Sequence, residues 1–232
     1  MKEGRNSVRV ITPIACLVGA AVVTASALLI APIGAPSASA EPCSDVEVVF
    51  ARGTNEPPGV GRIGQAFVDA LRAQAGAKSV GVYAVNYPAS IDFAAAVDGI
   101  DDASARVQDM AAKCPKTRMV LGGFSQGAAV IGFVTADVIP DGVVTSDVPR
   151  PMPPSVADHV AAVALFGKPS NRIMSAIGQP PIAIGPRYAA KTSIVCAPDD
   201  PVCSDGGDWA AHSTYATDAM VNQAATFAAG RL

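Results

Sequence analysis

The sequence predicts an α/β fold: a small, mainly parallel five-stranded sheet with helices on both faces, within residues 41–232. Three observations carry this reading. Short β-rich runs alternate with longer Ala-rich segments, the order that parallel strands joined by crossover helices require. The β-rich runs are apolar at nearly every position, as strands covered on both faces are. No internal repeat and no second domain is apparent, and the length suits one core.

The chain opens with a different kind of segment. Lys2, Arg5 and Arg9 form a basic start, an apolar run follows from Val10 to Ile33, and Ala38-Ser39-Ala40 stands just before Glu41. This is the pattern of a secretory signal peptide over residues 1–40. The run is also long enough to span a bilayer as a retained anchor, but Pro13, Pro32, Pro36 and the small-residue site argue for cleavage. Without the leader the chain carries 14 basic against 19 acidic residues, a balance in which nothing suggests nucleic acid binding, which wants a basic face.

The strands are expected at Val46–Phe50, Val80–Val85, Arg118–Gly122, Val160–Phe166 and Thr192–Val195. The helices are expected at Gly61–Ala75, Asp98–Cys114, Gln126–Ile139 and Ser213–Arg231. In the last helix Tyr215, Met220, Ala224, Phe227 and Ala228 recur at helical spacing, which reads as core packing. Pro140 to Pro154 holds five prolines and reads as a loop.

Cysteine usage fits export. Cys16 falls in the leader, leaving Cys43, Cys114, Cys196 and Cys203, which allow two disulfides in three pairings. Cys196 and Cys203 enclose only six residues, so a local bridge is natural. Cys43 and Cys114 each precede a predicted strand, and in a parallel sheet those two starts lie on one edge. No paired Cys-x-x-Cys spacing exists and there are only two histidines, so a zinc site is not expected.

The stretch that carries chemistry is Gly123-Phe124-Ser125-Gln126-Gly127, set between an apolar strand and a predicted helix. That context fits a nucleophile elbow, with the serine hydroxyl presented beside a helix N-terminus. The Gln126 backbone N–H is then positioned to stabilise an oxyanion. A serine needs a base and an orienting carboxylate. Functional groups gather at the carboxyl ends of parallel strands. His212 follows the last strand and so is expected on the same edge as Ser125, whereas His159 precedes a strand and belongs to the opposite edge. Asp199 and Asp200 follow the last strand inside the Cys196–Cys203 segment, and position alone does not separate them. Pro201 restrains Asp200 and mildly favours it. Asp205 and Asp208 are weaker candidates in a Gly-rich stretch. Thr54, after the first strand, is a candidate second oxyanion donor through its N–H and hydroxyl. Ile91, Phe93, Val202 and Trp209 are candidates for an apolar rim or equally for core.

Phe50-Ala51-Arg52-Gly53-Thr54, the Ser125 motif, Cys196-Ala197-Pro198-Asp199-Asp200-Pro201-Val202-Cys203, and His212 shortly after, occur in this order across residues 41–232. In these pieces the chain resembles the cutinase family, most closely its mycobacterial secreted esterases. The resemblance implies an α/β-hydrolase-type fold with no large lid, Asp200 as the catalytic acid, and Thr54 as the oxyanion hydroxyl residue. Fungal members carry serine at that position. It also implies Cys43–Cys114 and Cys196–Cys203 pairing. The resulting expectation is a secreted serine esterase with a Ser125, His212, Asp200 triad, acting without metal or cofactor on short- to medium-chain acyl esters, lipid-like or polyester. It is expected to be a monomer with no nucleic acid partner and with transient contact to a lipid surface. An acetylxylan-type carbohydrate esterase and a non-catalytic surface protein on a hydrolase scaffold are the rival readings.

Overall fold

Five apolar runs become strands: Val46–Ala51 (β1), Val80–Ala84 (β2), Arg118–Phe124 (β3), Val160–Phe166 (β4) and Thr192–Val195 (β5). They pair in parallel in the order β2-β1-β3-β4-β5. The computed structural model describes residues 43–141, 143–144, 148–216 and 219–232, so the expected leader lies outside the described residues. Residues 41–232 form one compact unit.

Side chains alternate between the two faces of each strand, and both faces are covered. Val46, Val48 and Phe50 of β1 face the helices Gly61–Gln74 (α1) and Ala219–Ala229 (α6), together with Val120, Ala162, Ala164 and Phe166. Phe67 of α1 meets Phe50 and Phe166 there, at centroid distances of 6.2 and 5.6 Å. Val49 and Ala51 face the other way, toward the helices Ala96–Lys113 (α2) and Gln126–Val134 (α3), with Leu121, Val163 and Leu165. Double cover holds for the three central strands. The edge strands are thinner: Val82 of β2 and Ile194 of β5 are exposed.

The strand order fixes where a site can form. The chain leaves β1 outward to β2, then returns across β1 to β3, so connections diverge to opposite faces between β1 and β3. A crevice opens there at the carboxyl ends. The amino ends carry fixed structure instead. Cys43 and Cys114 are bridged, with Cα atoms 5.7 Å apart. The buried Glu47 receives Arg106 of α2 through Nε at 2.6 Å and Nη2 at 2.8 Å. That hydrogen bonding raises the Arg106 pKa and keeps the guanidinium charged.

Several boundaries differ from the sequence expectation. The third long helix stops at Val134 rather than Ile139: Thr135 Oγ1 bonds back to the Ile131 and Gly132 carbonyls, and the Thr135 carbonyl turns out to accept the Gly185 N–H. The last helix begins at Ala219 rather than Ser213, after a separate 3-10 turn over Ala211–Ser213. Two short helices, Asn171–Ala176 (α4) and Pro186–Ala189 (α5), were not expected, because neither is long enough to show a helical period.

Candidate active site

The turn after β3 is built by close packing. Ser125 sits at φ 54° and ψ −116°, outside the regions an L-residue ordinarily occupies. Its N–H donates to the Phe166 carbonyl of β4 at 2.9 Å, while its own carbonyl accepts the Ala128 N–H and starts α3. A Cβ on Gly127 would lie 2.0 Å from the Ala51 carbonyl oxygen, and one on Gly123 would lie 2.2 Å from the Gly127 oxygen. Gly127 is therefore required by the approach of α3 to β1, and Gly123 by the turn itself. Strain of this kind persists only where surrounding structure enforces it.

His212, in the 3-10 turn after β5, places Nε2 2.9 Å from Ser125 Oγ and Nδ1 2.8 Å from Asp200 Oδ2. With the carboxylate accepting from Nδ1–H, Nε2 is the acceptor for the serine proton. The Phe124 ring stacks on the imidazole, centroids 4.9 Å apart, and fixes its plane. Asp200 is fully buried and held by three donors. Oδ1 accepts the Val202 N–H at 2.8 Å; Oδ2 accepts the Tyr215 hydroxyl at 2.5 Å as well as His212. A buried carboxylate needs such company to remain charged. Tyr215 OH in turn accepts the Ala197 N–H at 3.0 Å. Burial first, and then the Asp200 hydrogen bond, push the Tyr215 pKa well above the ordinary phenol range, so it stays a donor.

The Cys196–Cys203 bridge, with Cα atoms 5.9 Å apart, closes the loop that carries this aspartate. It also separates the neighbours. Asp199 adopts φ 62° and is exposed, while Asp200 points inward. Asp205 is exposed, and Asp208 accepts the Ala210 N–H at the start of the His212 turn. His159 lies at the amino end of β4 with Nδ1 3.2 Å from the Pro115 carbonyl, on the opposite edge from Ser125.

Thr54 follows β1, whose Ala51 is in register with Gly123 of β3, so the two turns are adjacent. Neither the Thr54 nor the Gln126 main-chain N–H is spent on another described group. The Thr54 turn is held by the buried Arg52, whose guanidinium donates to the carbonyls of Glu56 at 2.8 Å and Tyr87 at 2.6 Å, and more weakly to Val85 and Pro88 at 3.4 Å. The Tyr87 hydroxyl returns a short hydrogen bond to the Arg52 carbonyl. Glu56 accepts the Gly53 N–H at 2.7 Å and the Arg62 N–H at 2.9 Å, tying the turn to the start of α1.

Of the rim candidates, Ile91 and Trp209 are 75% and 67% exposed. Val202 is buried and belongs to the core, because its N–H must reach Asp200. Phe93 is half-buried. Sequence reading missed three contributors. Tyr215 passed as core by its helical spacing. Arg52 appeared only as part of a turn. Gly167, at φ 55° after β4, would carry a Cβ 3.0 Å from His212 Cε1 and 3.3 Å from Asp200 Oδ2. Its signal was a glycine at the carboxyl end of a central strand.

Fold and geometry together define an α/β-type hydrolase with its polar cluster at the sheet's carboxyl edge. The chain belongs to the cutinase family, whose members are carboxylic ester hydrolases: the Cutinase family model matches residues 42–232. It is 64% identical over 74% of its length to a probable carboxylesterase, Culp5, of Mycobacterium tuberculosis, covering 98% of that relative. It is 53% identical to phospholipase Culp4 of the same organism, over 92% of this chain and 89% of the relative. Among solved structures, the cutinase of Trichoderma reesei bound to a phosphonate inhibitor superposes with a TM-score of 0.62 at 33% identity, covering 82% of this chain and 77% of that one.

Proposed function

We propose that the chain is a secreted serine esterase that cleaves short- to medium-chain acyl esters, lipid or polyester, through Ser125, His212 and Asp200. The observation that carries this reading is the continuous hydrogen-bonded line from Ser125 Oγ through His212 to a buried Asp200, at 2.9 and 2.8 Å. Ser125 Oγ attacks the ester carbonyl while His212 Nε2 takes its proton. The tetrahedral oxyanion is bound by the Thr54 and Gln126 N–H groups, with the Thr54 hydroxyl beside them. His212 returns the proton to the leaving alcohol, and an acyl-enzyme remains on Ser125. Water, activated by the same imidazole, releases the acid. Asp200 holds the imidazole tautomer and balances its charge during each transfer. No step uses a metal or cofactor.

The leader pattern of residues 1–40 and the two disulfides support export, with residue 41 as the first of a mature chain that acts as a monomer. Exposed Ile91 and Trp209, with the phospholipase relative, support transient contact with a lipid surface.

The test combines fluorophosphonate labelling with hydrolysis of p-nitrophenyl esters from acetyl to long acyl chains. Ser125→Ala should abolish labelling and lower kcat by about 10⁶-fold, and His212→Ala should lower kcat comparably. A folded wild type that neither labels nor hydrolyses any ester would return the chain to the non-catalytic reading. A strict preference for acetyl would favour the carbohydrate esterase.

A further inference from the structure

Tyr215 carries a hydroxyl that packing does not require. Its ring is fully buried against Phe124 and Phe166, at centroid distances of 5.7 and 6.3 Å, and a phenylalanine would fill the same space. The oxygen nevertheless stands between two polar partners. It accepts the Ala197 N–H at 3.0 Å and donates to Asp200 Oδ2 at 2.5 Å. The first bond fixes the direction of the second: with Ala197 supplying one hydrogen, the phenol's own proton is left for the carboxylate. The Cys203 sulfur lies 3.3 Å from both oxygens, but it is bridged to Cys196 and has no proton to give. Asp200 Oδ2 therefore receives two hydrogens, one from Tyr215 and one from His212 Nδ1 at 2.8 Å. The His212 and Tyr215 rings stand perpendicular, 6.3 Å apart, and reach the same oxygen from one turn of the chain.

We propose that Tyr215 is a positioning residue that acts through Asp200: its hydroxyl withholds part of the carboxylate charge from His212, so that the imidazole stays neutral, and able to act as base, in mildly acidic solution. The inference rests on the reading of Ser125, His212 and Asp200 given above and deepens it. A full carboxylate charge beside an imidazolium holds its proton; a carboxylate already bonded to a phenol holds it less strongly. Only the neutral ring can take the serine proton. Asp200 and Tyr215 are both fully buried, so solvent does not screen the bond. Other charged groups surround the pair. Arg62 of α1 donates to the Ser213 carbonyl beside His212 at 2.5 Å, Asp199 and Asp208 belong to the loop after β5, and Lys168 follows Gly167 after β4. Among the described residues none of these pairs with His212 or Asp200, and a change at Tyr215 leaves all of them in place.

The experiment is an NMR titration of the protein, whose two imidazoles are His212 and His159, alongside kcat/KM for p-nitrophenyl butanoate across the same pH range. In Tyr215→Phe the His212 midpoint should rise by about 0.5 to 1 pH unit, while His159, at the opposite edge, should not move. On the acidic limb kcat/KM should fall by about three- to tenfold more than on the alkaline plateau, with KM unchanged. Replacing the four tyrosines by 3-fluorotyrosine, a stronger donor, should move the His212 midpoint the other way, because among the described residues Tyr215 is the tyrosine bonded to Asp200. A midpoint that stays put in both proteins, even with a lower Tm in Tyr215→Phe, would overturn the inference and leave the hydroxyl as a partner for the Ala197 N–H alone. A midpoint that falls in Tyr215→Phe would also overturn it, since the hydroxyl would then only have kept Asp200 beside the ring. A wild type that titrates normally yet neither labels with fluorophosphonate nor cleaves the ester would overturn the esterase reading itself. The fluorotyrosine protein decides the matter if Tyr215→Phe does not fold.

Discussion

The two edges of one sheet are built on opposite terms. At the carboxyl edge every strand is followed by a residue in the left-handed region: Asn55 after β1, Ala89 after β2, Ser125 after β3, Gly167 after β4 and Asp199 after β5, with φ between 50° and 62°. Among the described residues, every non-glycine residue at positive φ belongs to these loops. Among the described residues the amino edge has no such non-glycine residue; Gly76, between α1 and β2, takes this conformation there as a glycine can. It is held by the Cys43–Cys114 bridge, the buried Glu47–Arg106 pair and Asp45 on Ser79. The lesson is that backbone strain is concentrated where groups must be aimed, and ordinary stabilisation lies at the other end. Each edge holds one histidine and one disulfide, so the comparison can be broken residue by residue.

Beyond the loss of Ser125 or His212 themselves, the largest effect should come from Asp200→Asn. It removes the charge behind His212 while keeping shape, and kcat should fall by about 10⁴-fold with the fold retained by circular dichroism. The mirror substitution at the amino edge, His159→Ala, should leave kcat/KM within about twofold; an equal loss would erase the distinction between the edges. Gly167→Ala comes next. Its Cβ would press on the His212 ring from a backbone that disfavours alanine, so kcat should fall about 10- to 100-fold with little change in KM. An unchanged kcat would show that the imidazole tolerates displacement.

The disulfides should rank in opposite orders by two measures. Cys43 and Cys114 are separated by 71 residues and Cys196 and Cys203 by 7, so chain entropy assigns about 4 kcal/mol to the first and about 2 kcal/mol to the second. Paired serine substitutions should therefore lower Tm more at the amino edge. Specific activity should fall more at the carboxyl edge, where the bridge holds the Asp200 loop. Arg106→Ala is the smallest case for activity. It strands a buried Glu47 and should cost about 3 kcal/mol in urea unfolding, with kcat unchanged in the folded protein.

The sheet was legible because its strands are continuous apolar runs; only their ends moved, by one or two residues. Ser125 and His212 were readable because parallel topology sorts loops by edge; topology left Asp199 and Asp200 together, Pro201 favoured Asp200 only mildly, and it was the cutinase resemblance that implied it. The fold does bring Ser125, His212 and Asp200 together. What escaped had no local signature. Tyr215 looks like any aromatic on an amphipathic segment, and its bond to Asp200 exists only once the β5 loop folds over it. The end of α3 depends on Thr135 meeting Gly185, 50 positions away. Gln126 was named for its main chain, whereas its side chain reaches Ser90, a contact that spacing does not encode.

The order of these pieces along the chain sets a clock. Ser125 and the proposed oxyanion donors Thr54 and Gln126 are complete by residue 126, but Asp200, His212 and Tyr215 all come after β5, and α6 must then seat on α1, with Thr226 donating to Gln74. On the proposed mechanism, a nascent chain thus displays Ser125 long before His212 is there to deprotonate it. It stays hydrolytically silent until the last third has been made and docked, so reactivity begins only with the finished fold.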